Sequence, residues 1–454
     1  MPLVSTLGGP GSTAGNSAAP ENIAPIPSDS VTQAVLLHVQ VTNQFDGSVT
    51  DLTDTCVGIT MAHGFDITIS TCTIELTENP NVSNYSRVEV YCSAGTLTTD
   101  PHNFNGIPLR FVGVYLRTEA SLWPHTYSMV CRGPLYFAQQ YKIPPAITPG
   151  TNFALPPTVL QNIPTGILLF TDTGDPNPKV GSLLSGPDTD QAAIVAILNL
   201  VSQVAADAGF PGGFDFDPGL IGGTGSIFGM FAPLNFVWSP FRSALDVIQG
   251  FDQICLGYRM YETYAGRPIR TQIYAYPYGP ADTALTEGVD IWEGSNGVRS
   301  VEQLFNYEYV EGATLTSNES TSKIISYLAA ASNDFQPSTL PVVDQFSSSW
   351  IESSDVVAPD SGALRVDDVA NWRLNERNRE LVTGQWVTYR DDLFLPGHVI
   401  NINVPHTATT ENVWMQRIEV RMTADPVSWT QTIYGVGGGR PGTDNPYTPP
   451  NIVY

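Results

Sequence analysis

The sequence predicts a mainly β protein whose middle combines helices with hairpins. Segments that alternate apolar and polar residues with a period of two recur near both ends of the chain. Gly (40 residues) and Pro (36 residues) are abundant among the 454 residues and supply the turns that join short strands. Helical periodicity is confined to a few segments between residues 188 and 381. The fold class is therefore antiparallel β-barrels or sandwiches plus an α+β insert.

The first strands are predicted between residues 31 and 145. Residues 1–30 are rich in Gly, Pro, Ser and Ala and are expected to form an extended arm. Turn-forming pairs such as Asp46-Gly47 and Asn105-Gly106 separate the alternating segments that follow. The predicted strands are 35–41, 65–70, 73–76, 88–91, 111–116 and 127–130. A first β-barrel or sandwich is expected to span 31–145.

Residues 146–238 are predicted to be a linker rich in Pro and Gly, interrupted by a helix over 188–208. The run 209–236 then combines Phe and Gly with almost no charge. Because a soluble monomer rarely exposes so much apolar chain, we interpret this run as an interface or a plug in an oligomer. The residues assigned to that role are Phe210, Phe214, Phe216, Leu220, Ile221, Ile227, Phe228, Met230 and Phe231.

Residues 239–362 are predicted to form a helix-hairpin domain. The helix over 240–256 has an apolar stripe, and Ser239 is its expected N-cap. A hairpin turning near Gly266 follows, and then short strands and a helix over 322–331. Residues 363–436 are expected to hold another helix and a second β-barrel. The Gly- and Pro-rich tail 437–454 is expected to be extended.

Two blocks near the ends of the chain resemble each other at a constant offset of 306 residues. They share the pattern V-x-[LM]-x6-W-x-x-T, and each is interpreted as a strand, a loop and a returning strand. A chance match is the alternative interpretation. If the blocks are related, the chain carries one barrel at each end. The residues then assigned to the two barrel cores are Val114, Leu116, Trp123, Val420, Met422 and Trp429.

The charge of the chain argues against binding of nucleic acid through its phosphates. There are 20 Lys and Arg against 44 Asp and Glu, which gives a net charge of −24. A basic patch that could release counterions from a phosphate backbone is therefore not expected. The acidity could line a channel that DNA slides through, or it could only support solubility.

The sequence shows no motif for catalysis, metal binding or cofactor binding. The five Cys form no CxxC pair and the six His are scattered, so reduced thiols and no zinc site are expected. Nucleophile-elbow, zinc-protease and P-loop patterns do not occur, and no enzymatic activity is predicted. The first 30 residues lack signal-peptide features, and no apolar run is long enough to span a membrane.

Four segments carry a resemblance to a known family. Residues 243–266 (SALDVIQGFDQICLGYRMYETYAG) are similar to a helix followed by a GYR-like strand and a turn glycine. Residues 286–313 contain an EG-x-D-I pattern, and residues 370–403 contain a P-G-x-x-V turn before a strand. A block from Trp123 to Gly133 is similar to a first tube-like barrel. Together these segments resemble the baseplate hub proteins of tailed bacteriophages, although the run 209–236 departs from that pattern.

This resemblance implies an architecture and a set of partners. It implies a trimer in which each subunit carries two tail-tube-like barrels, so that three subunits form a pseudo-sixfold ring. The ring would join the tail tube or distal tail proteins to a central spike protein. It would also enclose the channel for the DNA and the tape measure protein. The location implied is the virion tail, after assembly in the host cytoplasm.

Two other functions were weighed. The first is a carbohydrate-binding or carbohydrate-degrading tail component, for which the eight Trp residues could supply aromatic faces. Core or interface anchoring is the favoured interpretation of these Trp residues. The second is a capsid or decoration protein, which the helix followed by a hairpin argues against.

Overall fold

The computed structural model describes the strand-forming regions at both ends of the chain and parts of the middle. The described residues are 35–142 without 96, 99–102 and 123–124, and then 167–171, 182–185, 190–223, 237–238, 242–254, 258–272, 281–291, 296–299, 307–316, 321–329, 343–347, 370, 382–404, 409–424 and 427–437. The predicted arm over 1–30, most of the predicted helix over 364–381 and residues 438–454 lie outside this set.

The N-terminal module is an antiparallel set of strands. In β1, Val39 and Val41 are fully buried, whereas His38 and Gln40 lie on the opposite face, as the period of two requires. The turn at Asn105-Gly106 has positive φ at both residues, which joins β6 to β7 as the sequence predicted. The strands are β1 (Leu36–Thr42), β2 (Val49–Asp51), β3 (Cys56–Gly64), β4 (Thr71–Leu76), β5 (Arg87–Ser93), β6 (Asn103–Phe104), β7 (Ile107–Leu122) and β8 (His125–Arg132).

The middle of the chain contains helices and short strands. Its elements are α1 (Tyr136–Gln140), β9 (Ile167–Thr171), β10 (Ser182–Ser185), α2 (Asp190–Asp207), β11 (Val237–Trp238), α3 (Ala244–Ile254), β12 (Tyr258–Glu262), β13 (Pro268–Gln272), β14 (Thr283–Thr286), β15 (Asn296–Arg299), β16 (Tyr307–Thr316), β17 (Thr321–Ala329) and β18 (Val343–Ser347). Strands β9 to β11 and β16 to β18 form two small sheets, and β12 and β13 form a hairpin. The helices predicted at 188–208 and 240–256 therefore correspond to α2 and α3.

The C-terminal module consists of β19 (Val382–Thr388), β20 (Val399–Val404), β21 (Thr409–Ala424) and β22 (Val427–Gly437), with β14 and β15 added from the middle of the chain. Strand β20 pairs with β21 on one side and with β14 on the other. Strand β15 pairs with β19. Strands β19 to β22 fall where the sequence predicted the second set of strands, whereas β14 and β15 come from the region predicted as the helix-hairpin domain.

The two modules are joined in one sheet. Its order in the described residues is β15-β19-β22-β21-β3-β4-β8-β7-β5-β1-β2, and β21 pairs with β3 at the junction. One hydrophobic core serves both modules, because Val39, Met61 and Phe111 belong to the same buried cluster as Ile400, Val420 and Trp429. The prediction of a mainly β protein is confirmed. The described strands are sandwich-like and do not close into separate barrels.

A second core lies on the other face of the N-terminal module. It brings together α1, α2, α3, the loop after α2 and strand β12. Val114 of β7 belongs to this second core, whereas Phe111 of the same strand belongs to the first. Strand β7 is therefore covered on both faces, which accounts for the near-continuous run of buried residues along its first half.

Three local predictions were wrong. The alternating segment 65–70 is a turn between β3 and β4, where Thr68 adopts a positive φ of 52°. The helix predicted over 322–331 falls on β17, whose β-branched residues pair with β16. The N-cap of α3 is Ser243: its Oγ accepts from the Asp246 N–H at 3.0 Å, and the Asp246 carboxylate accepts from the Ser243 N–H at 3.0 Å.

Candidate assembly surfaces

Two long hairpins, β7–β8 in the N-terminal module and β21–β22 in the C-terminal module, are built in a similar way. Strands β7 and β21 each contain 16 residues and each carry a β-bulge where the pairing changes register. The pairs nearest the two turns are Leu122 with His125 and Ala424 with Val427. Leu122 and Ala424 lie 302 positions apart, so the hairpins correspond at an offset of 302 residues. The offset of 306 taken from the sequence does not align equivalent positions.

The strands around the two hairpins also correspond. In the N-terminal module, β5 pairs with the first half of β7, and β4 pairs with β8 and then with β3. In the C-terminal module, β20 pairs with the first half of β21, and β19 pairs with β22 and then with β15. The order β5-β7-β8-β4-β3 therefore matches the order β20-β21-β22-β19-β15. The correspondence ends at β14, which pairs parallel with β20, whereas β1 pairs antiparallel with β5.

The junction between the modules lies on the second half of β21. Strand β3 pairs antiparallel with the segment from Arg417 to Thr423 on the edge opposite β22. Gly64 at the end of β3 allows close approach, because a Cβ there would lie 2.8 Å from the Cβ of Arg417. This contact makes β3 an extension of the C-terminal module.

The equivalent edge on β7 has no partner among the described strands. Strand β5 ends its pairing at Val114, and Tyr115 then exchanges main-chain hydrogen bonds with Tyr85 and Ser86. From Arg117 onward, β8 is the only described strand that pairs with β7. Arg117 and Glu119 on this half are largely exposed, and their side chains form an ion pair with 2.7 Å between Nε and Oε1. Strand β15, the counterpart of β3, is likewise at the end of the sheet in the part of the chain that the structure describes. Within the described residues, these two edges therefore have no strand paired to them.

A buried ion pair links the two modules across the core that they share. Arg110 on β7 is fully buried and lies 2.7 Å from Asp391 in the loop after β19. Arg110 also donates to the main-chain oxygen of Asp392 at 3.0 Å, and its guanidinium lies 5.5 Å from the Trp429 ring. Removal of either charge would leave the other one buried without compensation. The pair therefore fixes how the C-terminal module sits on β7.

A second polar cluster links β3 to the hairpin of β12 and β13. His63 Nε2 lies 2.9 Å from the Arg110 carbonyl oxygen and its Nδ1 lies 2.8 Å from Ser70 Oγ. Burial lowers the pKa of His63 to about 4, so the ring is neutral at pH 7. Because a carbonyl only accepts, Nε2 carries the proton and Nδ1 accepts from the Ser70 hydroxyl. This arrangement is a structural hydrogen-bond bridge.

Glu262 completes this cluster from the hairpin side. Its two oxygens accept from the Ser70 N–H at 2.6 Å and from the Leu135 N–H at 2.5 Å. Burial raises the pKa of Glu262 to about 8, in spite of these donors. Only glycine fits at position 133, since a Cβ there would lie 1.8 Å from Glu262 Oε2. The fully buried Glu262 side chain therefore attaches the hairpin to the N-terminal module.

Sequence reasoning missed these buried charged residues. Arg110 lies just before the predicted strand 111–116, between Leu109 and Phe111, and its partner Asp391 is far away in the sequence. Nothing in the local pattern around either residue indicates the other. The only available signal was an Arg inside an otherwise apolar strand, which is uncommon unless the charge is paired.

The residues assigned to an interface or plug are placed differently from the prediction. Phe210, Phe214 and Ile221 are 4%, 3% and 0% exposed and belong to the core formed with α2 and α3. Phe216 is partly buried against the same core. They are already covered by this chain, so they are unavailable to a second subunit. Leu220 is 40% exposed. Ile227, Phe228, Met230 and Phe231 lie outside the described residues.

The residues assigned to barrel cores are mostly internal. Val420, Met422 and Trp429 are buried in the core that the two modules share. Val114 is also fully buried, but it belongs to the second core, and Leu116 is partly buried there. Trp123 lies outside the described residues. The five described residues therefore do not form two matching cores.

The described residues offer little reactive chemistry. The four described Cys are free and buried, and burial raises the pKa of Cys56 and of Cys92 to about 12. Thiols with such pKa values are poor nucleophiles near neutral pH. A search of the described residues finds no group of His, Cys, Asp and Glu that could hold a metal ion. Among the same residues, no helix has the length and apolar character needed to cross a bilayer.

Comparison with known proteins gives no match to a protein-family model and none to a curated protein. Solved structures do match. A tail protein from Neisseria meningitidis MC58 has a TM-score of 0.54 at 10% identity, over 88% of this chain and 96% of that one. The 43 kDa tail protein of prophage MuSo2 from Shewanella oneidensis has a TM-score of 0.51 at 8% identity, over 88% of this chain and 98% of that one.

This chain has the fold of these tail proteins. The likeness extends over nearly the whole of both solved chains, so the N-terminal module, the middle and the C-terminal module together form one shared architecture. The resemblance to phage tail proteins that was drawn from the sequence is confirmed at the level of fold.

Proposed function

We propose that this protein is a structural subunit of a phage tail tip, of the baseplate-hub type, and that copies of it close into a ring. The observation that supports the proposal most strongly is the correspondence between the two modules. Strand β3 occupies the outer edge of β21, while in the described residues the equivalent edge of β7 has no strand partner and β15, the equivalent of β3, pairs only with β19.

The correspondence predicts how copies meet. If β15 takes the role that β3 plays within the chain, then β15 of one copy pairs antiparallel with β7 of the next copy, and Asn296 lies opposite Arg117, just beyond the part of β7 that β5, Tyr85 and Ser86 cover. Such a contact joins two different surfaces and is therefore head-to-tail, and head-to-tail contacts close into rings when the rotation permits. Pairing would also hide two open strand edges, which are aggregation hazards when exposed.

The size of the ring and its partners follow from the resemblance to hub proteins. Three copies with two modules each would give a pseudo-sixfold ring. The ring would connect the tail tube or distal tail proteins to a central spike protein and would surround the channel used by the DNA and the tape measure protein. With a charge of −24 per copy, DNA would pass without adhering to the wall. The location proposed is the virion tail, after assembly in the host cytoplasm.

The role is proposed to be structural and not enzymatic. The Arg110–Asp391 pair, for example, is buried between the modules and holds them together. The carbohydrate-degrading alternative would require two carboxyl groups about 5–10 Å apart across a substrate cleft. Glu262, the carboxyl group whose pKa burial raises to about 8, is bound by main-chain N–H groups in the interior instead.

Native mass spectrometry of the purified full-length chain tests the proposal. We expect a closed oligomer with three copies as the main species, and a central hole in negative-stain images. A monomer that persists across the whole accessible concentration range would contradict the ring. A species with two copies related by a twofold axis would contradict the head-to-tail contact.

A further inference from the structure

A polar cleft lies between the N-terminal module and the middle of the chain. Its volume is about 170 Å³. One wall is the outer face of β5, a second is the turn of the β12–β13 hairpin, and a third is the loop after α2. The charged lining residues are Arg87, Glu89, Asp215 and Arg267.

The charges in this cleft balance one another. Arg87 Nε donates to Glu89 Oε1 at 2.8 Å, and Arg267 lies 2.6 Å from the Asp215 carboxylate. Two cations therefore face two anions, and neither an anionic nor a cationic ligand would find a net attraction. The cleft is suited to a neutral ligand that both donates and accepts hydrogen bonds.

Glu89 is held in position before any ligand arrives. Besides Arg87, the Tyr91 hydroxyl donates to Glu89 at 3.1 Å, and Gln40 Nε2 donates to the same carboxylate. Although burial alone would raise it, the pKa of Glu89 lies below its usual range because Arg87 and these donors favour the charged form. A carboxylate has about four acceptor positions, so the three donors leave room for a ligand hydroxyl.

Apolar groups complete the walls. Leu109 and Val112 of β7 line the cleft beside Tyr91. The hairpin turn approaches closely, since a Cβ at Gly266 would lie 3.0 Å from Pro134, and Gly266 adopts a φ of 72°. The result is a site with polar groups at one side and hydrocarbon at the other. Pyranose rings have the same two-sided character, with hydroxyl groups at the edge and C–H groups on the face.

We propose that this cleft binds one pyranose unit of a neutral saccharide. Its volume of about 170 Å³ suits a single ring and not a longer chain inside the cleft. Arg87 and Arg267 would donate to ring hydroxyls, Glu89 would accept from one, and the Tyr91, Leu109 and Val112 side would contact the C–H face. The site lies within one copy, so it does not depend on ring assembly.

The test is titration of the full-length protein with D-glucose, D-galactose and N-acetyl-D-glucosamine, followed by saturation-transfer NMR and calorimetry. We expect at least one of these sugars to bind, and Arg267→Ala to weaken that affinity about tenfold through loss of a charged hydrogen bond. Arg117→Ala is the matched control, because it removes the same charge from an exposed pair on β7, outside the cleft. It should leave the affinity unchanged.

Three results would overturn the proposal. The first is no detectable binding of any of the three sugars by the wild-type protein. The second is equal weakening by Arg267→Ala and Arg117→Ala. The third is stronger binding of a charged probe, D-glucuronate or D-glucosamine, than of its neutral counterpart. Thermal melting of both variants checks folding, and we expect equal midpoints because both Arg side chains are substantially exposed.

Discussion

The first strands of the two long hairpins, β7 and β21, have the same length and each carries a bulge, but their surroundings differ. The second half of β21 lies between β22 and β3, and its residues Val420 and Met422 are buried. The second half of β7 has β8 on one side and no described strand on the other, and Thr118 and Ala120, the counterparts of Val420 and Met422, are partly buried and exposed respectively. The edge of one hairpin joins the two modules, and the same edge of the other has no strand partner among the described residues.

This difference indicates how the same type of hairpin can stabilise the fold in one module and be available for assembly in the other. A strand edge that is satisfied within the chain stabilises the fold, and an equivalent edge left open is available to another copy. Residues on the closed edge should therefore influence stability strongly, and residues on the open edge should influence it weakly.

The largest expected effect is that of Trp429→Ala. Trp429 is fully buried and pairs with Met422, the third pair from the turn. We expect a loss of about 3–5 kcal/mol in the free energy of unfolding, measured by urea titration. The matched control is Tyr127→Ala, because Tyr127 pairs with Ala120, the third pair of the other hairpin, and is only partly buried. If Tyr127→Ala lowers the free energy of unfolding as much as Trp429→Ala does, the expected difference between the two hairpins is contradicted.

A somewhat smaller effect is expected for Asp391→Asn. The substitution keeps the shape of the side chain but leaves the buried Arg110 charge without its partner. We expect a destabilisation of about 3 kcal/mol, measured in the same way. Glu119→Gln, which neutralises the exposed partner of Arg117, should change stability by no more than about 0.5 kcal/mol. Equal stabilities for the two variants would show that the Arg110–Asp391 pair does not hold the modules together.

Sequence periodicity predicted the fold where local pattern and burial agree. Strands β1, β5, β7 and β8 and helices α2 and α3 fall where alternation or an apolar stripe placed them. Segment 65–70 alternates in the same way but forms a turn, because Ile69 joins the second core and the chain must reverse between β3 and β4. The helix predicted over 322–331 is instead strand β17. Its pairing with β16 is a long-range contact, which local residue propensities do not predict.

The assembly surfaces were less predictable. The sequence indicated an internal repeat, but the equivalent positions became clear only from the pairing of Leu122 with His125 and of Ala424 with Val427. The apolar run after α2 suggested an interface, whereas Phe210 and Phe214 fill a core that only the folded chain creates. Hydrophobicity alone does not distinguish a surface buried within a chain from one buried between chains.

Disulfide cross-linking tests the proposed contact between copies most directly. Transferring the register of β3 on β21 to the other hairpin places Asn296 of β15 opposite Arg117 of β7 on the next copy. We predict that a chain carrying both Arg117→Cys and Asn296→Cys forms covalent multimers on mild oxidation, and that neither single variant forms more than dimers. If the double variant still assembles but yields no covalent product beyond that of the single variants, β15 and β7 do not meet and the account is contradicted.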